Sequence, residues 1–314
     1  MADCSDLFLR YDKTISLTKT DRKFLRAARN AIIKKIKKYF KEHENCPDVE
    51  FQVQGSFSMN TIIKPIEGEY DIDVGVYLRG YSNWQSDWPT AETASQWLVN
   101  ALTNHTATPP VNKRSCVRLI YRPSTVNKDV AYHVDLPIYC EYLNWLSEKY
   151  TRIGVTGEKQ WSQKSDPLGF TKWFFNQCLK NGNDKNQLIR LVKYIKAWKE
   201  SIKDDVRFPS GMALTVMMAA NYVPHDREDV SFQNTVAAGY NTIFTGFLDD
   251  LFNDFTIESP VEPYNDVIKR LNSEEKNRFK NALYQLAVDG KSAIEEEDRN
   301  KSEYTWKKHF DKRM

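Results

Sequence analysis

Apolar and polar residues alternate, as they do along a half-buried strand, only between residues 49 and 139 of this 314-residue chain. Val49, Phe51 and Val53 follow that period, and so do Ile72, Val74, Val76 and Leu78. On either side the apolar residues recur every three or four positions, as on one face of a helix. The change of period separates a first half that mixes helices and strands from a second half that is nearly all helix. It predicts an α+β protein of two lobes. A mixed sheet lies within residues 1–160, a helical lobe spans 161–314, and residues 145–165 cross between them.

The first helix is predicted over 18–43. Thr18 or Thr20 caps it, Asp21 sits in its first turn, and Leu25, Ala28, Ile32, Ile36 and Tyr39 or Phe40 form its stripe. Between Lys19 and Lys41 it carries ten basic residues and one acid. A strand at 49–53 leads through Gly55-Ser56 into one or two helical turns over 57–62. Pro65, Glu67 and Gly68 mark a loop. Strands are predicted at 70–78, 116–121 and 130–139, with a helix over 91–105 between the first two. Beyond residue 150 helices are predicted over 168–179, 187–202, 210–222, 232–244 and 265–289, then a charged tail helix from 293.

Charge and cysteine content narrow the function classes. Lys plus Arg total 45 against 42 Asp plus Glu, a net charge of +3. That small excess argues against a chain coated in nucleic acid, without excluding a local basic patch. No apolar run reaches the roughly 20 residues that span a bilayer. The first nine residues are polar and acidic, unlike a signal peptide. Five scattered cysteines, with no CxxC pair, speak against a disulfide framework or a structural zinc site. The expected compartment is a reducing cytoplasm.

The chemistry concentrates on three acids. Asp71 and Asp73 flank Ile72 on one strand, so their carboxylates share a face about 7 Å apart. Unless a cation or solvent lies between them they repel. Asp135, in the segment His133-Val134-Asp135-Leu136-Pro137, lies on the face of its strand opposite Val134 and Leu136. Three carboxylates on neighbouring strands are a donor set for hard divalent ions. A Gly-Ser turn 15 residues before the first of them lets backbone approach a phosphate. Such a site suits attack of a sugar hydroxyl on the α-phosphate of a nucleoside triphosphate, with pyrophosphate leaving. The bland alternative is that Asp71 and Asp135 make salt bridges or cap turns. His133, on the same face as Asp135, reads as a structural histidine. Lys193, Lys196 and Lys199 recur every third residue, either as a solvated face or as a set turned to a shared cleft.

These residues resemble a known family. Gly55-Ser56, the YDID of 70–73 and the VDLP of 134–137 are similar to the polymerase-β-like nucleotidyltransferase superfamily. QGSFSMNTIIKP (54–65), YDIDVGVYL (70–78), HVDLPIY (133–139), LVKYIKAWK (191–199) and FPSGMALTVM (208–217) resemble the bacterial cGAS/DncV-like nucleotidyltransferases, the CD-NTases. The likeness runs from about residue 20 to 290. It implies a two-lobed polymerase-β-like fold and a templateless enzyme that makes cyclic di- or trinucleotides in anti-phage (CBASS) defence. Asp71, Asp73 and Asp135 would be catalytic and hold two magnesium ions, for which manganese could substitute. Gly55 and Ser56 would contact the triphosphate, Lys193 would reach the phosphates, and Ser210 would lie near the donor nucleotide. The basic helix would be the spine that joins the lobes, so its charge need not mean nucleic acid. The zinc-binding His/Cys cluster of the animal DNA-sensing relatives has no counterpart here. The implied partners are nucleoside triphosphates and regulatory or effector proteins of a defence operon, with no DNA required and no membrane. Transfer to RNA or to a small molecule, and nucleotide binding without turnover, remain alternatives.

Overall fold

The computed structural model describes residues 1–66, 69–122, 131–157, 161, 164–202, 206–244 and 255–314. Glu67 and Gly68 of the expected loop, the start of the strand expected at 130, and part of the expected crossover lie outside the described residues. The mixed sheet and the helical region agree with the α+β expectation.

The chain begins with a helix that the sequence reading missed, α1 (Ser5–Ile15). Then comes the basic helix α2 (Lys19–Glu42), closed at its start by a capping box. Thr18 Oγ1 accepts from the Asp21 N–H at 3.1 Å, and the Thr18 N–H donates to the Asp21 carboxylate at 2.8 Å. Strand β1 (Val49–Gln54) runs into the short helix α3 (Gly55–Ser58) and returns as β2 (Tyr70–Tyr81). Helix α4 (Ala91–Leu102) precedes β3 (Val111–Asn112), β4 (Val117–Tyr121), β5 (Tyr132–Leu136), β6 (Ile138–Leu143) and β7 (Lys149–Ile153).

The expected strand over 130–139 is two strands. β5 and β6 run along the same edge of β2 in one register, Asp73 opposite Asp135 and Val76 opposite Ile138. Between them Pro137 has no N–H to give to a ladder, though its carbonyl accepts from the Val76 N–H at 2.9 Å. β1 lies antiparallel on the other edge of β2, β4 pairs with β5, and β7 pairs with β6.

One face of this sheet is apolar. Ile72, Val74, Val76, Val117, Leu119, Val134 and Leu136 are buried there against Leu25, Ile32, Ile36 and Phe40 of α2 and Leu98 and Leu102 of α4. The stripe of the basic helix therefore packs on the sheet, and its bases face outward. The polar face of the sheet looks toward the second core.

That core is helical: α5 (Pro167–Cys178), α6 (Gln187–Ser201), α7 (Gly211–Ala220), α8 (Glu228–Phe244), α9 (Ser273–Glu295) and α10 (Arg299–Lys307). The expected helix over 265–289 starts later, at Ser273, where Asn272 and Glu275 form a capping box. Trp198, Tyr194, Phe232, Phe279 and Trp306 fill the centre, and Leu7, Phe8, Tyr11 and Ile15 of α1 belong to it. Helix α1 thus packs with the helical lobe although it precedes the sheet in the chain. The segment after β1 threads the seam. Phe57 and Ile62 join the sheet core while Met59 and Ile63 join the helical one.

Candidate active site

Four adjacent strands place one polar row across the sheet. Gln54 of β1 lies opposite Asp73 of β2, Asp73 opposite Asp135 of β5, and Asp135 opposite Arg118 of β4. Adjacent strands are about 4.8 Å apart, so the two carboxylates and the guanidinium are forced together by register alone. One step along the strands, Asp71 lies opposite His133.

The row is not electrically balanced. Arg118 grips Asp135 with both arms, Nε to Oδ1 at 2.6 Å and Nη2 to Oδ2 at 2.7 Å. Its Nη2 also lies 3.3 Å from Asp71 Oδ1 and its Nη1 3.2 Å from His133 Nδ1. That imidazole bridges further, with Nδ1 3.2 Å from Asp71 Oδ1 and Nε2 facing Glu69. Asp73 has no ion-pair partner among the described residues. Burial, then the charges of Asp135 and Asp71, push its carboxyl up to about 7, against the weaker opposing pull of Arg118 and Lys196.

Gly55 stands directly over Asp73, and Ser56 lines the same cleft. Gly55 adopts φ +68°, and an added Cβ would run into the Asp73 carboxylate. Only glycine satisfies both conditions. The turn is anchored from behind by buried Gln54, whose Nε2 donates to Tyr139 Oη at 2.9 Å.

A cleft of about 590 Å³ opens between the lobes at this point. Gly55, Ser56, Asp71 and Asp73 line it from the sheet, Thr61 and Ile63 from the seam, and Lys196, Lys199, Gly211 and Met212 from the helical lobe. Lys196 Nζ donates to the Thr61 carbonyl at 3.2 Å and to its hydroxyl at 3.1 Å. Burial first, then repulsion by Lys199, pulls its ammonium down to about 7.

Two expected positions lie elsewhere. Lys193 is buried in the helical lobe, where its Nζ donates to Asp12 Oδ1 at 2.9 Å and to Ser16 Oγ at 2.8 Å. Helix α1 and the residue after it supply both partners, and the lysine does not line the cleft. Lys196, one turn on, takes the cleft position. Ser210 caps α7, its hydroxyl accepting from the Ala213 N–H at 3.2 Å. It stands at the rim beside Gly211, outside the lining. The sequence reading passed over Arg118, although a cation on the polar face of a short apolar strand was its visible signal.

The acids offer the hard oxygen donors a divalent ion takes, and the raised Asp73 carboxyl marks a place where a cation would be stabilising. Asp135 is engaged by Arg118, however. Among the described residues no three His, Cys, Asp or Glu side chains converge closely enough to hold an ion in this arrangement. The acids therefore fit a metal in chemistry, while in this arrangement both oxygens of Asp135 face the Arg118 guanidinium.

Comparison with known proteins adds the following. Residues 49–139 match the family described as "Cyclic GMP-AMP synthase DncV-like, nucleotidyltransferase domain". A cyclic GMP-AMP synthase of Escherichia albertii is 30% identical over 215 residues, which cover 66% of this chain and 44% of the relative. The chain thus aligns with less than half the length of that curated relative. The solved Vibrio cholerae DncV cyclic AMP-GMP synthase superposes with a TM-score of 0.74 at 16% identity, over 99% of this chain and 97% of that one. Its complex with the linear intermediate 5′ pppA(3′,5′)pG gives 0.72 at 16% identity, over 99% and 96%. At those identities the likeness is one of fold. Among the described residues no helix is long and apolar enough to cross a membrane, and the five cysteines are unpaired.

Proposed function

Since residues 49–139 match the DncV-like nucleotidyltransferase family, we propose that the chain is an untemplated nucleotidyltransferase that joins nucleoside triphosphates into a cyclic di- or trinucleotide and releases pyrophosphate. The observation that carries this reading is the juxtaposition of Gly55-Ser56 with Asp73, half-buried and without an ion-pair partner among the described residues, at the floor of the inter-lobe cleft. A structural acid would have a partner, whereas this one is left charged or protonated at a substrate-sized opening.

In this reading Asp71 and Asp73, joined by Asp135, would hold magnesium or manganese. When bound, a pair of such ions supplies a lowered pKa for the attacking hydroxyl and stabilises the leaving oxygens. Gly55 lets the backbone come close to the triphosphate, and Ser56 offers a hydroxyl to it. Lys196 and Lys199, facing the carboxylates across the cleft, meet the phosphate charge from the other side. Met59, Ile63 and Phe170 give the opening apolar walls that exclude water. Binding in a cleft built from both lobes orients the two nucleotides without a template strand. The family resemblance, rather than any residue geometry, supports a signalling role in anti-phage defence.

Mass spectrometry of products from the four ribonucleoside triphosphates, with magnesium or manganese and no nucleic acid, tests the proposal. Phosphatase-resistant cyclic products are expected. Transfer only to added RNA or to a small acceptor would replace this reading by another nucleotidyl transfer. No turnover by a folded protein that binds triphosphate would leave a nucleotide-binding module.

A further inference from the structure

Arg118 stands where a cation is needed. Its guanidinium touches Asp135 through two bonds of 2.6 and 2.7 Å and reaches Asp71 Oδ1 at 3.3 Å. It therefore spans the two acids that flank Asp73 in the carboxylate cluster. Both oxygens of Asp135 are occupied by it. Strand register sets Arg118 opposite Asp135, so the folded sheet keeps the two side chains within reach of each other whichever rotamer the arginine takes. The arginine side chain retains 18% of its exposure, which gives it a route outward without breaking the sheet.

Resting on the metal reading above, we infer that Arg118 is a resident counter-cation that holds Asp135 in the free protein and must release it before a divalent ion is bound by all three acids. Two cations compete for the same oxygens. A guanidinium within about 4 Å of an ion also repels it directly. Because the coupling is reciprocal, Arg118 weakens metal binding by the factor with which the metal weakens the Arg118–Asp135 contact. The same contact keeps three adjacent carboxylates from standing with no cation at all. The free protein accordingly exchanges some metal affinity for a stable, ordered row.

The test is a titration of manganese(II) alone into the full chain, with free ion read by electron paramagnetic resonance, for wild type, Arg118→Gln and Arg118→Lys. Arg118→Gln should bind the ion on the order of tenfold more tightly than wild type. Its melting temperature in chelator should be lower than that of wild type and should be restored by manganese. Arg118→Lys keeps the charge but loses the two-armed grip. Its affinity should lie between the other two, and it carries the test if Arg118→Gln does not fold. Equal affinities in the folded proteins, or weaker binding in Arg118→Gln, would overturn the inference alone. If no protein binds manganese even with ATP present, the metal reading falls and the inference falls with it.

Discussion

The helical lobe and the sheet each gather a cluster of charges around one arginine, and the two clusters differ in balance. Around Arg190, Glu228 receives Nε and Nη2 at 2.7 Å each, Asp184 receives Nη2 at 2.7 Å, and Gln187 and Tyr194 donate to the remaining Glu228 positions at 3.2 Å. The neighbouring buried Asp229 has Arg227 at 2.8 Å. Each buried acid there has its own guanidinium, and the network joins α6 to α8. Around Arg118 two acids, Asp135 and Asp71, share one guanidinium, and Asp73 is left without an ion-pair partner among the described residues. Only the second cluster leaves an acid unpaired in this way and borders a cleft. Charge that a fold leaves uncompensated beside an opening marks a site, while charge it neutralises completely marks a brace.

Mutations can break this contrast. The largest stability effect is expected in the balanced cluster. Glu228→Gln leaves the buried Arg190 short of a partner and should cost about 3–5 kcal/mol in denaturant unfolding. The unbalanced cluster should respond with the opposite sign. The Asp73 carboxyl is raised to about 7 in the fold against an ordinary 3.8. The folded state therefore binds its proton more tightly than the unfolded chain, and this group's contribution to stability is lost as pH rises from about 4 to 7. Asp73→Asn removes that loss. Measured in chelator at pH 8, it should be more stable than wild type by about 2–4 kcal/mol, with the difference fading toward pH 4. A variant less stable than wild type at pH 8 would place Asp73 among the braces.

The two lysines of α6 sharpen the comparison at a finer scale. Lys196→Met should raise the KM or Kd for triphosphate about tenfold to a hundredfold, as for loss of a charge-assisted bond worth about 1.5–3 kcal/mol. Lys193→Met should instead lower the melting temperature, by stranding Asp12, and leave triphosphate affinity unchanged. Exchange of those two outcomes would restore Lys193 to the cleft. The smallest effect is expected from Ser210→Ala. Loss of the α7 cap should cost about 1 kcal/mol of stability, with product formation per folded molecule little altered.

The three acids were legible because each takes the polar side of a strand whose other side is apolar, and the Gly-Ser turn because few residues besides glycine suit a close approach. The partner of Asp135 was not legible, since Arg118 reaches it through the β4–β5 register, a property of the assembled sheet. Lys193 and Lys196 sit three residues apart on one helix, and the sequence pattern gives both the same appearance. Their separation depends on α1, which places Asp12 beside one of them; α1 was itself overlooked because its charged residues and short length obscured its stripe. Strand β7, KYTRI, is too short and polar to announce itself. The bend at Pro137 depends on β2 pairing with both halves of one strand.

The central claim is that the unbalanced row is where triphosphates react. The most direct measurement is pyrophosphate release from the four ribonucleoside triphosphates with magnesium and without nucleic acid, comparing wild type with Asp73→Asn, each verified as folded. The account predicts release by wild type and a loss of about a thousandfold or more in the variant, as for removal of a group that holds charge in the transition state. Equal release by the two proteins would contradict it.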